Sequence, residues 1–291
     1  MRGKNLKFNL LFFIFLGIFG FAFKVQALTI APALIKLELA PGESQTQKIY
    51  LFNETNQTVK YYPTVENFVS DKNTNTPIFL GNNDPLSAAR WFTLSQTEIE
   101  LKSGEKKIVV VNVKAPLLAE PGGHYVGLLF SDVPPQSAGV KTANRLATLF
   151  LLTVKGEIKE DLQVASFNKI DDNSGFDLEI ENKGNVHLQP TGQVTVINGS
   201  GQQVALIPIN NLKQNILPQS RRTFGLKLKE TLPWGKYTAK AQLYFGKDKI
   251  LESQEINFWQ WPQNLFVNLL SVLAIILVIL VIFKIARKRI S

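Results

Sequence analysis

Pro121-Gly-Gly-His-Tyr125 and Pro233-Trp-Gly-Lys-Tyr237 are one pattern, Pro-x-Gly-x-Tyr, met twice in a single chain. Each leads straight into a strand-like run, apolar over Val126 to Phe130 in one case and alternating over Tyr237 to Phe245 in the other. Proline stops a preceding ladder and glycine allows a tight turn. Tyrosine turns its ring inward while its hydroxyl can bond backbone. The pattern therefore reads as a corner between two strands of a sandwich, built twice.

Working upstream from both copies, two further landmarks recur in the same order. Leu101-Lys-Ser-Gly-Glu105 stands before a strand in the first half, and Leu217-Pro-Gln-Ser220 before one in the second. Earlier still, Phe52-Asn-Glu-Thr-Asn56 precedes a strand reaching Pro63, and Ile180-Glu-Asn-Lys-Gly-Asn185 precedes one reaching Pro190. Asn-x-x-Asn fits a hairpin corner, because asparagine tolerates left-handed backbone and bonds its own turn. Three ordered landmarks make an internal repeat.

Between them lie short alternating or β-branched runs, such as Gln47 to Phe52, Lys107 to Val113, Phe176 to Ile180 and Gln193 to Ile197. Strands at this density predict an all-β fold of two tandem immunoglobulin-like antiparallel β-sandwiches. The expected domains are 28–157 and 158–260, joined near Gly156 to Asp161. From Asn53 to Pro121 is 68 positions and from Asn182 to Pro233 is 51, so the first domain carries about seventeen extra residues. Most of them fall in an insertion at about 70–90, polar and turn-rich around Ile78-Phe79-Leu80. It reads either as a binding loop or as a solvent loop over a sheet edge.

The two ends have a different character. Arg2, Lys4 and Lys7 precede an uncharged run from Phe8 to Phe23 that closes on Val25-Gln26-Ala27, the order of a signal peptide over residues 1–27. An uncleaved N-terminal anchor is the other reading. Leu265 to Phe283 is uncharged, preceded by Trp259 and Trp261 and followed by Lys284, Arg287, Lys288 and Arg289. That order predicts one C-terminal transmembrane helix over 265–283 with a basic cytoplasmic tail at 284–291. The expected localisation is a bacterial plasma membrane, single-pass, with the body extracytoplasmic and lipid met through the helix. Asn268 and Ser271, spaced to share one helix face, read as tolerance near the interface or as a packing face for membrane partners.

The net charge of +9 invites a nucleic-acid reading, but four positive residues fall in the signal and four in the tail. About +1 remains for Leu28 to Pro262, which offers no phosphate-binding footprint, so no nucleic-acid partner is expected. Cysteine is absent, so stability must come from apolar burial, and export without disulfides suits a bacterium.

Chemistry is sparse. His124 and His187 are the only histidines and fall at non-equivalent points of the repeat, which argues against zinc. Ser103-Gly-Glu-Lys106 has the Ser-x-x-Lys spacing of penicillin-binding enzymes but sits between strands and reads as a turn, like Pro41-Gly-Glu-Ser44. The pairs Asp171-Asp172 and Glu160-Asp161 lie in turns, without a cleft to raise one pKa, and are too few for a calcium cage. The chain is expected not to be an enzyme, with no catalytic, metal or cofactor residues, no cofactor, and binding residues unknown.

Leu39-Ala-Pro-Gly-Glu43, Tyr50-Leu-Phe-Asn53, Trp91, Pro121 to Phe130, Asn182 to Asn185, Gly192 to Val196 and Pro233 to Tyr237 together resemble the bacterial WxL-interacting surface proteins. The resemblance covers nearly the whole chain and implies peptidoglycan contact by the first domain and partner or host contact by the second. The expected function is thus a membrane-anchored cell-surface scaffold or adhesion protein contacting wall peptidoglycan or a secreted protein. The alternatives are a pilus-chaperone-like protein and an accessory subunit of an envelope complex.

Overall fold

The structure, a computed structural model, describes residues 28–71, 74–81, 87–135, 143–171, 174–261 and 265–290. The expected signal peptide lies outside them. The chain divides into two compact units. One draws on residues through Phe68, on Phe79–Ala119 and on Tyr125–Leu152. The other draws on Val69–Ile78, Glu120–His124 and the chain from Thr153 onward.

The first unit is built mainly from β1 (Leu28–Ala31), β2 (Leu34–Leu39), β3 (Ser44–Asn53), β4 (Val59–Ser70), β5 (Pro77–Phe79), β6 (Phe92–Leu94), β7 (Ile99–Leu101), β8 (Lys106–Lys114), β9 (Gly122–Ser131) and β10 (Arg145–Val154), of which the last two residues of β4 and β10, the first two of β5 and the first three of β9 fall in the other unit. One sheet runs in the order β1-β3-β8-β6, and a second runs β2-β10-β9-β4-β5 with β7 added on β4. Inward residues alternate with outward ones, as a half-buried sheet requires. Ile49 and Leu51 of β3 and Val109 and Val111 of β8 meet Leu128, Phe130, Phe150 and Leu152 in one buried cluster. Fully burying each such side chain is worth about 1.5–3 kcal/mol.

The second unit holds β11 (Leu162–Lys169), β12 (Gly175–Asn182), β13 (Thr191–Asn198), β14 (Gln203–Ile209), β15 (Arg221–Lys227), β16 (Gly235–Phe245), β17 (Lys249–Glu252) and β18 (Ile256–Gln260). Its sheets run β11-β12-β15 and β14-β13-β16-β17, with β18 also on β16. Phe176, Leu178, Ile180, Val194, Val196, Ala239 and Leu243 form its core. The all-β reading therefore holds. The two halves differ at one landmark: Pro63 lies inside β4, whereas Pro190 follows a single bridge, Leu188 to Ile216, and only then does β13 begin.

Part of the insertion at 70–90 is sheet rather than loop. β5 lies beside β4, with the Leu80 amide donating to Asn67 O at 2.8 Å and the Asn67 amide donating to Gly81 O at 3.3 Å. Phe79 caps this addition by packing edge-on to Phe68, with ring centroids 6.0 Å apart. Gly127 makes room for it, since a Cβ there would stand 2.3 Å from the Phe79 ring.

After β18 comes one helix, α1, over Leu265–Ile290. Its side chains are described at 269–280, 282 and 284, and all of these residues are exposed. Among the described residues, no helix is long and apolar enough to cross a membrane. This overturns the expected transmembrane span over 265–283. With it go the single-pass plasma-membrane localisation, the cytoplasmic tail and the lipid-bilayer contact. The side chain of Asn268 lies outside the described set.

Candidate edge-strand groove

In β14, Gln203-Val-Ala-Leu-Ile-Pro-Ile209, the inward residues Ile207 and Ile209 are buried, while Val204 and Leu206 are 42% and 46% exposed. β14 pairs with β13 on one side only and ends its sheet, and β15 ends the other sheet of the same unit. The two edges come together. Between them lies a groove of about 350 Å³, walled by residues 204–208 of β14 on one side and by Lys227 to Pro233 on the other.

Proline in a sheet is confined to places where its missing N–H is not needed by the ladder. Pro208 stands opposite Gln193 and Leu206 opposite Thr195, two residues apart. With the period of two, the backbone groups of Leu206 point the same way as the nitrogen of Pro208, out toward the groove. An unpaired amide and carbonyl, flanked by apolar Val204 and Leu206, make a template for an added strand. Leu228 and Leu232 supply an apolar floor, and Lys227, Lys229 and Glu230 stand exposed at the rim.

The residues singled out from sequence are dispersed, and the roles they play are local ones. Ser103 and Lys106 belong to a turn in which the Glu105 amide donates to Lys102 O at 3.0 Å and the Lys102 amide donates to Glu105 Oε2 at 2.7 Å. Those contacts hold the Glu105 carboxyl below its usual pKa, the backbone hydrogen bond first. Pro41-Gly-Glu-Ser44 repeats the arrangement, with the Ala40 amide donating to Glu43 Oε2 at 2.7 Å. His124 lies at the start of β9 rather than in a turn, its Nε2 2.9 Å from Glu120 O. Asp161 pairs with Lys159 at 3.2 Å, and Glu160 accepts the Lys247 amide at 3.1 Å. Asp172 lies outside the described residues. Among the described residues no group of three His, Asp or Glu side chains could hold a metal.

The repeat proves to be a hydrogen-bonded device. Asn53 is fully buried, and its amide group donates to Gln57 O, Leu101 O and Lys102 O at 2.8–3.0 Å. Asn182 is fully buried too, donating to Val186 O and Ile216 O, both at 2.8 Å. Left-handed backbone falls on neither asparagine. It falls on Gly104 (φ 70°) and Gln219 (φ 56°) in the turns to which the asparagines are tied. The Tyr237 hydroxyl donates to Pro233 O at 2.9 Å, closing its corner as expected. Tyr125 instead packs its ring against Phe68, with centroids 6.0 Å apart.

The groove was missed in the sequence. Its one signal was Pro208 inside an otherwise strand-like alternation, which marks an edge.

No family model matches the chain, and no curated protein matches it. Solved structures do. The class 5 fimbriae chaperone CfaA is 13% identical with a TM-score of 0.41, over 81% of this chain and 100% of its own. The CsuC–CsuE chaperone–tip adhesion subunit complex of Acinetobacter baumannii gives 15%, 0.40, 78% and 97%. The chaperone DraB of E. coli gives 14%, 0.37, 79% and 98%. At such scores these likenesses fix neither a family nor a function.

Proposed function

We propose that the chain is a non-enzymatic binding protein that holds an extended segment of a secreted protein at a sheet edge. This is the pilus-chaperone-like reading, and we prefer it to wall scaffolding. The observation that carries it is the open edge of β14, where Leu206 presents backbone and side chain over a groove of about 350 Å³. Strand addition draws affinity from main-chain hydrogen bonds and selectivity from alternate side chains, which is what such an edge can offer.

The test uses the immobilised full chain, challenged separately with the secreted proteins of its source cells and with purified peptidoglycan. A polypeptide is expected to be retained by the wild type and lost at least about tenfold in Leu206→Arg, which places a charge over the apolar edge. Retention of peptidoglycan alone, unchanged by Leu206→Arg, overturns the reading. Leu206 is 46% exposed, so the variant is expected to keep the thermal midpoint of the wild type.

A further inference from the structure

The free edge of β14 is short, and both of its ends are fixed. At one end the ladder to β13 shifts register. Ala205 lies opposite Val196 and Gln203 opposite Ile197, which leaves Val204 as an extra, bulged residue. At the other end Asn210 takes left-handed backbone, φ 56°, and its buried amide group donates to Pro190 O at 2.7 Å and to Gln214 O at 2.9 Å. The chain therefore turns away after Ile209. Between these ends Leu206 and Pro208 direct their backbone groups to the groove side. Leu206 offers an N–H and a C=O, whereas Pro208 offers only a C=O.

The opposite wall has no ladder to offer. β15 ends at Lys227, and the chain from Leu228 to Pro233 runs outside any strand before β16 begins at Gly235. A segment between the walls therefore finds main-chain partners on its β14 side and the apolar floor of Leu228 and Leu232 beneath it. All pairings of the second unit are antiparallel. An antiparallel segment also suits so short an edge, because one of its residues takes both bonds of Leu206 and the residue two positions before it donates to Pro208 O. A parallel segment would spread the same bonds over about five positions.

Antiparallel pairing locks bonding to side-chain direction. The residue bonded to Leu206 shares the solvent face on which Leu206 stands, and its two neighbours turn inward to the floor. Those inward residues carry their own N–H groups on the far edge, where no ladder receives them. We infer that the groove takes an antiparallel segment whose inward residues are apolar and free to be proline, while the outward residues between them must keep their N–H groups. This rests on the strand-addition reading given above. Pro208 is a specificity-determining residue of the edge, since by withholding an N–H it limits what the segment must accept as well as donate.

The test titrates the full chain with acetyl-Thr-Val-Thr-Val-Thr-Val-Thr-amide, with the same peptide N-methylated at every valine, and with the same peptide N-methylated at every threonine. The unmodified and valine-methylated peptides are expected to bind within about threefold of each other, and the threonine-methylated one at least about tenfold more weakly. That last peptide could recover its bonds only by turning threonine onto the apolar floor. Pro208→Ala, at an exposed position whose nitrogen lies outside the ladder, is expected to tighten the unmodified peptide by about two- to tenfold through the added N–H. Equal binding of all three peptides, or a valine-methylated peptide weakened as much as the threonine-methylated one or more, overturns the inference. So does unchanged or weaker binding in Pro208→Ala, or no binding of the unmodified peptide. The groove reading is judged separately, by whether Leu206→Arg releases the secreted polypeptide.

Discussion

The Asn53 corner of the first unit and the Asn182 corner of the second solve one problem with different residues. In each, a strand end is tied to a turn far along the chain. Gly104 N donates to Asn53 O at 2.9 Å and Asn53 N to Glu105 O at 3.0 Å, while Gln219 N donates to Asn182 O at 2.9 Å and Asn182 N to Ser220 O at 3.0 Å. The asparagine side chain then donates to further carbonyls of its own turn and of the distant one. The asparagine is common to both corners, and the turn around it has diverged. Gly104 adopts the left-handed conformation without steric cost, whereas Gln219 adopts it with a Cβ. Glu105 adds a carboxylate to its turn where Ser220 offers a hydroxyl, donated to Leu217 O at 2.7 Å. What the corner needs is the buried amide. The turn chemistry is adjustable.

The largest expected effect comes from removing that shared element. Asn53→Ala and Asn182→Ala each remove two or three hydrogen bonds from a fully buried amide group and are expected to cost about 2–4 kcal/mol in the unit concerned. Denaturant unfolding followed separately in each unit measures this. A cost below about 1 kcal/mol in either would break the equivalence of the two corners.

Exchanging the turn residues comes next. Gly104→Gln is expected to destabilise the first unit by about 1–2 kcal/mol, and Gln219→Gly to stabilise the second by up to about 1 kcal/mol. Opposite signs sharpen the comparison, and equal signs would show that the two turns are not the same device. Tyr237→Phe removes the hydrogen bond to Pro233 O and is expected to cost about 1 kcal/mol in the second unit, read from the same unfolding curves.

The smallest effect is on pH. The Glu105 carboxyl is held below its usual range chiefly by the Lys102 amide, with Lys107 adding to it. A depressed folded pKa contributes stability that is present above the unfolded value and is lost as pH falls through the folded one. Acid titration of the thermal midpoint is therefore expected to show a small drop in the first unit. Glu105→Gln abolishes it, and the second unit, with Ser220 in that place, lacks this contribution.

Much of the framework was legible because proline, glycine and asparagine act through local rules. The corner from Pro233 to Tyr237, the turn reading of Ser103 to Lys106 and the alternation of β3, β8, β12 and β13 needed only backbone sterics and the period of two, whereas Tyr125 of the other copy packs on Phe68. What those rules could not reach was distance. Asn53 was read as bonding its own turn and does so through Thr55, whose amide donates to Asn53 Oδ1 at 3.0 Å. Its tie to Leu101 spans 48 residues, and no local signal carries that. The insertion was read as a loop because its flanks are polar, yet Phe79 found a seat on Phe68 and Gly127 that made β5 a strand. The apolar run after Trp261 foretold a helix, but its expected passage through a bilayer has no counterpart among the described residues.

By itself the sequence determined that this chain folds as sheets, where its strands turn, and that its two halves share a plan. Those properties follow from side-chain alternation and from residues whose backbone preferences are intrinsic. Only the tertiary structure decided which strands lie at an edge and which faces are left open. β14 and β15 become edges through pairings between residues distant in the chain. Strand order is set by the whole set of pairings competing for one core, so no single segment encodes it.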